Sequence, residues 1–401
     1  MNIKIPKEVE NVLNILHENG FEAYVVGGCV RDSIMGKIPS DWDVATSAKP
    51  DQILLCFNNR KTIETGLKHG TVTVVINKMQ IEITTYRIDG EYSDNRRPDE
   101  VLFTDKIKLD LRRRDFTINA LAYNKSGIID LFGGLDDINN KFIKCVGAAG
   151  ERFNEDGLRI LRALRFASVL NFDIEENTSS SIFRNKALLN NISMERINIE
   201  FSKLIMGSNY RKILIEYREV IEVFLPEIQV LTEDEFKYRL NAMKVLNSLT
   251  LRLAVFLYNT DATDKILMNL KYDNKTIKTV KILVENINGR INHDPVNVKR
   301  WLNKINYVNL NYLIKIKKSL FDSEFYELEE TEKIMNEIIR TKQCYSLETL
   351  AINGQDLIDA GVPKGKNIGI ILDILLNEVI EGKLVNEKDS LLNFIYVNKM
   401  I

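Results

Sequence analysis

Apolar positions recur along this chain with two periods, and the change from one to the other divides it. Within residues 8–19, Val9, Val12, Leu13 and Leu16 fall three or four apart, the spacing of one helix face, and Gly20 follows as a stop. Tyr24, Val25 and Val26 then predict a short buried strand, Gly27-Gly28 a tight turn, and residues 30–35 the first turns of a helix. After Pro39 the pattern alternates, placing Asp41 and Asp43 on one face of a predicted strand and Trp42 and Val44 on the other. Pro50 starts a short helix over 51–57, and residues 71–76 and 80–87 read as a hairpin turning at Asn77-Lys78. Further on, residues 150–166 read as one amphipathic helix burying Leu158, Leu161 and Leu164, and nearly everything beyond is helical in pattern. The expected class is α+β, with a small mixed β-sheet followed by all-helical sequence.

The chemistry clusters in the strand-rich part. A Gly-Gly turn between a strand and a helix aims backbone N–H groups and a helix N-terminus at one point, which suits a phosphate. Asp41 and Asp43 on one face repel each other unless a cation lies between them. Mg²⁺ held by one or two carboxylates plus substrate phosphates is the usual solution. Joined in this order, the two pieces make half of a nucleotidyl-transfer site. Glu82 brings a third carboxylate if its strand lies beside the Asp41 strand; a solvent-facing Glu on an edge strand fits the same pattern.

Across residues 112–122, consecutive arginines meet apolar positions, and a triphosphate needs cations while ribose hydroxyls need an acceptor and a donor. On the 150–166 helix Asp156, Arg159, Arg162 and Arg165 recur every third residue, a slanting ridge with steps of about 60°. Glu155 or Asp156 with Arg159 also reads as an ordinary surface ion pair. A carboxylate only accepts and a guanidinium only donates. An Asp156–Arg159 pair therefore matches the amino group and ring nitrogen of cytosine or adenine and mismatches uracil and guanine.

Composition narrows the setting. With 45% hydrophobic and 28% charged residues, and only 20 Gly and 7 Pro in 401 residues, the chain is long enough for several domains and leans helical. A formal charge of −1 and a pI near 6.4 mean that any RNA contact comes from a local patch. Cys29, Cys56, Cys145 and Cys344 lie too far apart in sequence for a zinc motif or a disulfide framework. His293-Asp294 mimics the dyad of metal-dependent phosphohydrolases, but only His17 and His69 remain to complete such a site, both far upstream. No apolar run has signal-peptide or membrane-spanning length, so a cytoplasmic protein is expected, with no membrane and no protein partner evident.

Gly27-Gly28-x-Val30-Arg31-Asp32 followed by Asp41-x-Asp43 resembles the nucleotidyltransferase head shared by bacterial CCA-adding enzymes and bacterial poly(A) polymerases. The run Arg113-Arg114-Asp115-Phe116-Thr117-Ile118-Asn119-Ala120 is similar to the second motif of that family. Glu155-Asp156-Gly157-Leu158-Arg159-x-x-Arg162 is similar to the motif that reads the incoming base. Residues 65–74 and the polar loop of 89–98 resemble the CCA-adding branch, in which the loop serves the switch from CTP to ATP. The run from Ser193 through Arg196, Glu200 and Lys203 to Leu204 resembles the last neck motif, and 350–357 with 362–369 the tail that grips the tRNA elbow.

The resemblance implies a catalytic head at 1–140, a neck at 141–208, a body at 209–328 and a tail at 329–401. It implies addition of C, C and A to tRNA from CTP and ATP, with a poly(A) polymerase or an inactive RNA-binding relative as alternatives. Asp41 and Asp43 would hold two Mg²⁺ ions, with Glu82 as a further catalytic carboxylate. Gly27, Gly28 and Arg31 would meet phosphates, Arg114 and Asp115 the sugar and phosphate, and Asp156, Arg159, Arg162 and Arg165 the base and its surroundings.

Overall fold

A computed structural model describes residues 3–90 and 101–398. Most of the polar loop expected at 89–98 therefore lies outside the described residues. The chain forms two compact units, Met1–Val230 and Leu231–Ile401. No helix among the described residues is long and apolar enough to cross a membrane.

The first unit opens with α1 (Lys7–Glu18), whose Val9, Val12, Leu13 and Leu16 are buried as their spacing requires. Then come β1 (Ala23–Val26), α2 (Gly28–Ile34), β2 (Asp43–Thr46), α3 (Pro50–Cys56), β3 (Lys61–Ile63), β4 (Thr71–Ile76) and β5 (Met79–Thr85). A small antiparallel pair, β6 (Arg87–Asp89) and β7 (Val101–Phe103), precedes α4 (Ile107–Arg112), β8 (Leu121–Asn124), β9 (Gly127–Asp130) and α5 (Gly134–Asn139). The main sheet runs β3-β4-β5-β2-β1-β8-β9; β2 and β5 are parallel and the other neighbours antiparallel. Asn77 and Lys78, with φ of 48° and 70°, close the β4–β5 hairpin in the doubly left-handed form that matches strand twist.

After the two-residue β10 (Phe142–Ile143) the unit turns helical: α6 (Ala149–Glu155), α7 (Leu158–Leu170), α8 (Glu176–Asn185) and α9 (Met194–Met206). The single helix expected over 150–166 is thus two. Asp156 has φ −144° and ψ 104°, outside the helical range, and a Cβ on Gly157 would sit 3.0 Å from Leu188 Cβ. Close packing of the 186–191 turn breaks the helix there. Leu158, Leu161 and Leu164 are buried on α7 as the pattern required. Ser193 precedes α9 as expected, but its side chain makes no capping hydrogen bond.

The second unit is helical throughout its described residues. His293-Asp294 has a structural explanation: Asp294 accepts from the Asn297 N–H at 3.0 Å and caps the helix Pro295–Leu320. That helix kinks at Asn306, whose φ of 64° and ψ of 170° are not helical. Toward the C-terminus, Leu357, Ile371, Leu375, Leu391 and Ile395 form a separate buried cluster.

Candidate active site

Strand register brings the motifs together. Val26, the last residue of β1, pairs with Asp43, the first of β2, and Asp43 pairs in parallel with Glu82. The Gly27 turn therefore leaves the sheet level with the first laddered carboxylate. Regular pairing begins at Asp43, so Asp41 stands on the lead-in to the strand rather than on the ladder. Burial still alternates there: Trp42 and Val44 are buried, Asp41 and Asp43 exposed.

Gly27 has φ 78° and ψ −130°, a backbone that residues with a Cβ rarely adopt, and an added Cβ would lie 2.9 Å from Arg114 Nη1. Gly27→Ala is expected to cost about 1–3 kcal/mol, read as a lower urea midpoint. An unchanged midpoint would contradict the strain at this turn.

A cavity of about 670 Å³ is lined by Gly27, Gly28, Arg31, Asp41, Asp43, Arg114, Asp115, Asp156, Arg159, Arg162 and Arg165, all of them marked in the sequence. Glu82 does not line it, although the parallel register turns it to the same face as Asp43. The Asp43 carboxyl is pushed up to about 6, first by desolvation within the cavity and then by the charges of Asp41 and Glu82, against the pull of Arg114. Crowded carboxylates of this kind are relieved by a divalent cation. No three His, Cys, Asp or Glu side chains among the described residues group closely enough to hold a metal by themselves. Asp41 and Asp43 thus suit an ion that takes its remaining oxygens from a phosphate substrate and water, as Mg²⁺ does.

The opposite wall is cationic and tightly partnered. Arg31 donates to Asp32 Oδ1 at 2.8 Å and to Asn119 Oδ1 at 2.6 Å, and Asn119 Nδ2 in turn donates to Asp115 Oδ1 at 3.2 Å. Arg162 gives Nε and Nη2 to Asp115 Oδ2, at 2.9 and 2.6 Å. The wholly buried Asp110 takes Arg113 at 2.8 Å and Arg114 at 3.2 Å. Arg165 lies 2.6 Å from Glu200 and stacks 3.7 Å from the centroid of the Phe166 ring, with Arg31 and Arg162 at 5.2 and 5.4 Å from it.

Burial alone would raise the Asp115 carboxyl, but the charge and hydrogen bonds of Arg162, with the charge of Arg159, hold it down at about 2. A depressed folded-state value means that the stability Asp115 contributes is complete above its unfolded value of 3.8 and is lost as pH falls through about 2. Asp115→Asn is expected to lower stability at pH 7 by about 1–3 kcal/mol, since it takes the charged partner from the half-buried Arg162 and leaves it only the more distant Glu200. It should also flatten the acid limb of the urea-midpoint curve between those two pH values. An acid limb parallel to that of the wild type would contradict the pairing.

Asp156 and Arg159 face the cavity without touching each other as a pair. Asp156 Oδ1 accepts from the Leu158 N–H at 3.1 Å and from Arg196 at 3.2 Å, while Oδ2 takes Arg196 at 2.7 Å. With about two lone pairs per oxygen, Oδ2 keeps one position for a further donor. Arg159 spends three N–H groups on Glu155 Oε2, Arg152 O and Arg113 O, at 2.6, 3.3 and 3.0 Å. A guanidinium has five, so donors remain. One acceptor beside spare donors is the set that an amino group next to a ring nitrogen requires.

Sequence reasoning gave no individual role to Arg113, Asn119, Phe166 and Lys203, which also line the cavity, or to Asp110, which holds Arg113 and Arg114. Asp110 was signalled by its spacing of three and four from Arg113 and Arg114. Lys203 lies within the run that resembles the last neck motif, a resemblance that by itself assigns it no contact.

Residues 23–144 match a family model described as the poly A polymerase head domain. Residues 171–231 match one described as the probable RNA and SrmB-binding site of polymerase A, and 245–395 one described as a putative tRNA nucleotidyltransferase domain 2. The chain is 36% identical to a CCA-adding enzyme of Enterococcus faecalis, covering 97% of this chain and 95% of that protein. It is 37% identical to one of Ligilactobacillus salivarius, covering 97% and 96%. Among solved structures, the Bacillus stearothermophilus CCA-adding enzyme in complex with CTP is similar with a TM-score of 0.83 and 29% identity, over 98% of this chain and 97% of that one. A tRNA nucleotidyltransferase complexed with a primer tRNA and an incoming ATP analog has a TM-score of 0.65 and 26% identity, over 80% and 99%.

Proposed function

This chain belongs to the CCA-adding enzymes, and we propose from that membership how its own residues choose and join the nucleotides. The reaction is the stepwise addition of C, C and A to the 3′ end of tRNA from CTP and ATP, without a nucleic-acid template and with release of pyrophosphate. Divalent metal ions are general among nucleotidyltransferases; here we assign two Mg²⁺ ions to Asp41 and Asp43. When bound, such ions activate the terminal 3′-hydroxyl and offset charge on the triphosphate during in-line displacement. Glu82 adds negative charge beside Asp43 from the neighbouring strand.

The chain's other groups position the substrate. The Gly27-Gly28 turn and Arg31 take phosphate oxygens, and Arg114 with the Asp115–Arg162 pair takes the sugar and its phosphate. Asp156 accepts from N4 of cytosine or N6 of adenine while Arg159 donates to N3 or N1. Uracil and guanine set an oxygen against the carboxylate and an N–H against the guanidinium, each opposed contact costing about 1–3 kcal/mol. We assign residues 1–140 to a catalytic head, 141–208 to a neck that reads the base, 209–328 to a body and 329–401 to a tail that binds tRNA.

The observation that carries this reading is that Asp156 and Arg159 line the same cavity as Asp41, Asp43 and the Gly27-Gly28 turn. The test is sequencing of the product from a tRNA that ends before CCA. CTP alone should give two added C residues, CTP with ATP should give CCA, and ATP alone should add nothing to that end. Long A runs would mark a poly(A) polymerase instead, and tRNA binding without pyrophosphate release an inactive relative.

A further inference from the structure

α7 and α9 lie side by side in step. Asp156, just before α7, meets Arg196 at 2.7 Å; Arg165 meets Glu200 at 2.6 Å; Ser168 Oγ donates to Leu204 O at 2.7 Å. Rising numbers on one helix meet rising numbers on the other, so place along the pair maps onto place along the cavity. The base-reading Asp156 marks one end, Arg162 with Asp115 the middle, and Arg165 with Phe166 and Arg31 the stretch beyond. Lys203 lines the same cavity and, next to Leu204, stands past Arg165 in that series.

Its charge differs from that of its neighbours. Arg31, Arg113, Arg114, Arg159, Arg162 and Arg165 each have a carboxylate partner. Among the described residues the structure gives Lys203 none. An unpaired ammonium on a flexible stem, farther along the helix pair from the base reader than Arg165, suits the part of a nucleotide that is farthest from the base and most highly charged.

We propose that Lys203 binds the terminal phosphate of the incoming CTP or ATP and the pyrophosphate that leaves. The assignment rests on the nucleotide reading of the cavity given above, and it names a contact that a nucleoside diphosphate cannot make. Lys203 is exposed, so truncating it leaves the packing of α9 intact.

The test is calorimetric binding of CTP and of CDP to the full chain in Mg²⁺ buffer, for the wild type, Lys203→Ala and Lys203→Arg. Lys203→Ala should weaken CTP about tenfold, one charge-assisted contact, and leave CDP within about twofold; Lys203→Arg should restore most of the loss. In turnover, Lys203→Ala should raise KM for CTP and ATP alike, with KM for tRNA and the preference for C over U unchanged. Equal weakening of CTP and CDP, no weakening at all, or a change confined to KM for tRNA would overturn the assignment. A wild type that binds neither nucleotide would overturn the reading of the cavity and this contact with it.

Discussion

Asp41→Ala is expected to cut incorporation of labelled CTP and ATP by about a thousandfold, the scale on which removal of a preorganised electrostatic group acts. Asp41 is exposed and precedes the strand ladder, so the thermal transition of the variant and its retention of tRNA should match the wild type. The loss should appear equally for C and for A, since the position concerns the triphosphate and the attacking hydroxyl and not the base. Turnover within about tenfold of the wild type would defeat the assignment of Asp41 and Asp43 as the metal-holding pair.

Asp156→Asn should have the second largest effect, on choice rather than on rate alone. The amide can turn its N–H₂ toward the cavity, so O4 of uracil, repelled by the carboxylate, gains a donor. Discrimination of CTP over UTP should fall by about 10–100-fold, as expected when one opposed polar contact is removed. Arg196 loses its charged partner in this variant but keeps an amide acceptor, and Arg196→Lys separates the two effects by loosening Asp156 without altering its acceptor character. If Asp156→Asn lowers use of CTP and UTP by one common factor, Asp156 supports the site without reading the base.

How far the sequence carried the structure depended on the range of the forces involved. Alternation at Asp41-Trp42-Asp43-Val44 and the β4–β5 hairpin were legible because period-two burial and a two-residue turn are local. The neighbourhood of Glu82 and Asp43 was conditional on strand order, which only the completed sheet settles. The break at Asp156 was not legible, because Glu155-Asp156-Gly157-Leu158 is compatible with a continuing helix and the packing of Leu188 against Gly157 ends it. Partner choice was the least visible: Asp156 reaches Arg196 on α9, and Arg162 reaches back to Asp115. All four cysteines are free thiols, and burial pushes Cys29 up to about 11 and Cys145 to about 12, out of reach of thiolate chemistry at neutral pH.

The central claim is that two side chains do the work of a template base. Single-turnover rates for CTP and UTP at equal concentration, on a tRNA ending before CCA, test it most directly. The account predicts a rate at least about a hundredfold higher for CTP. Rates within about threefold of each other, a difference of under about 0.7 kcal/mol, would contradict it.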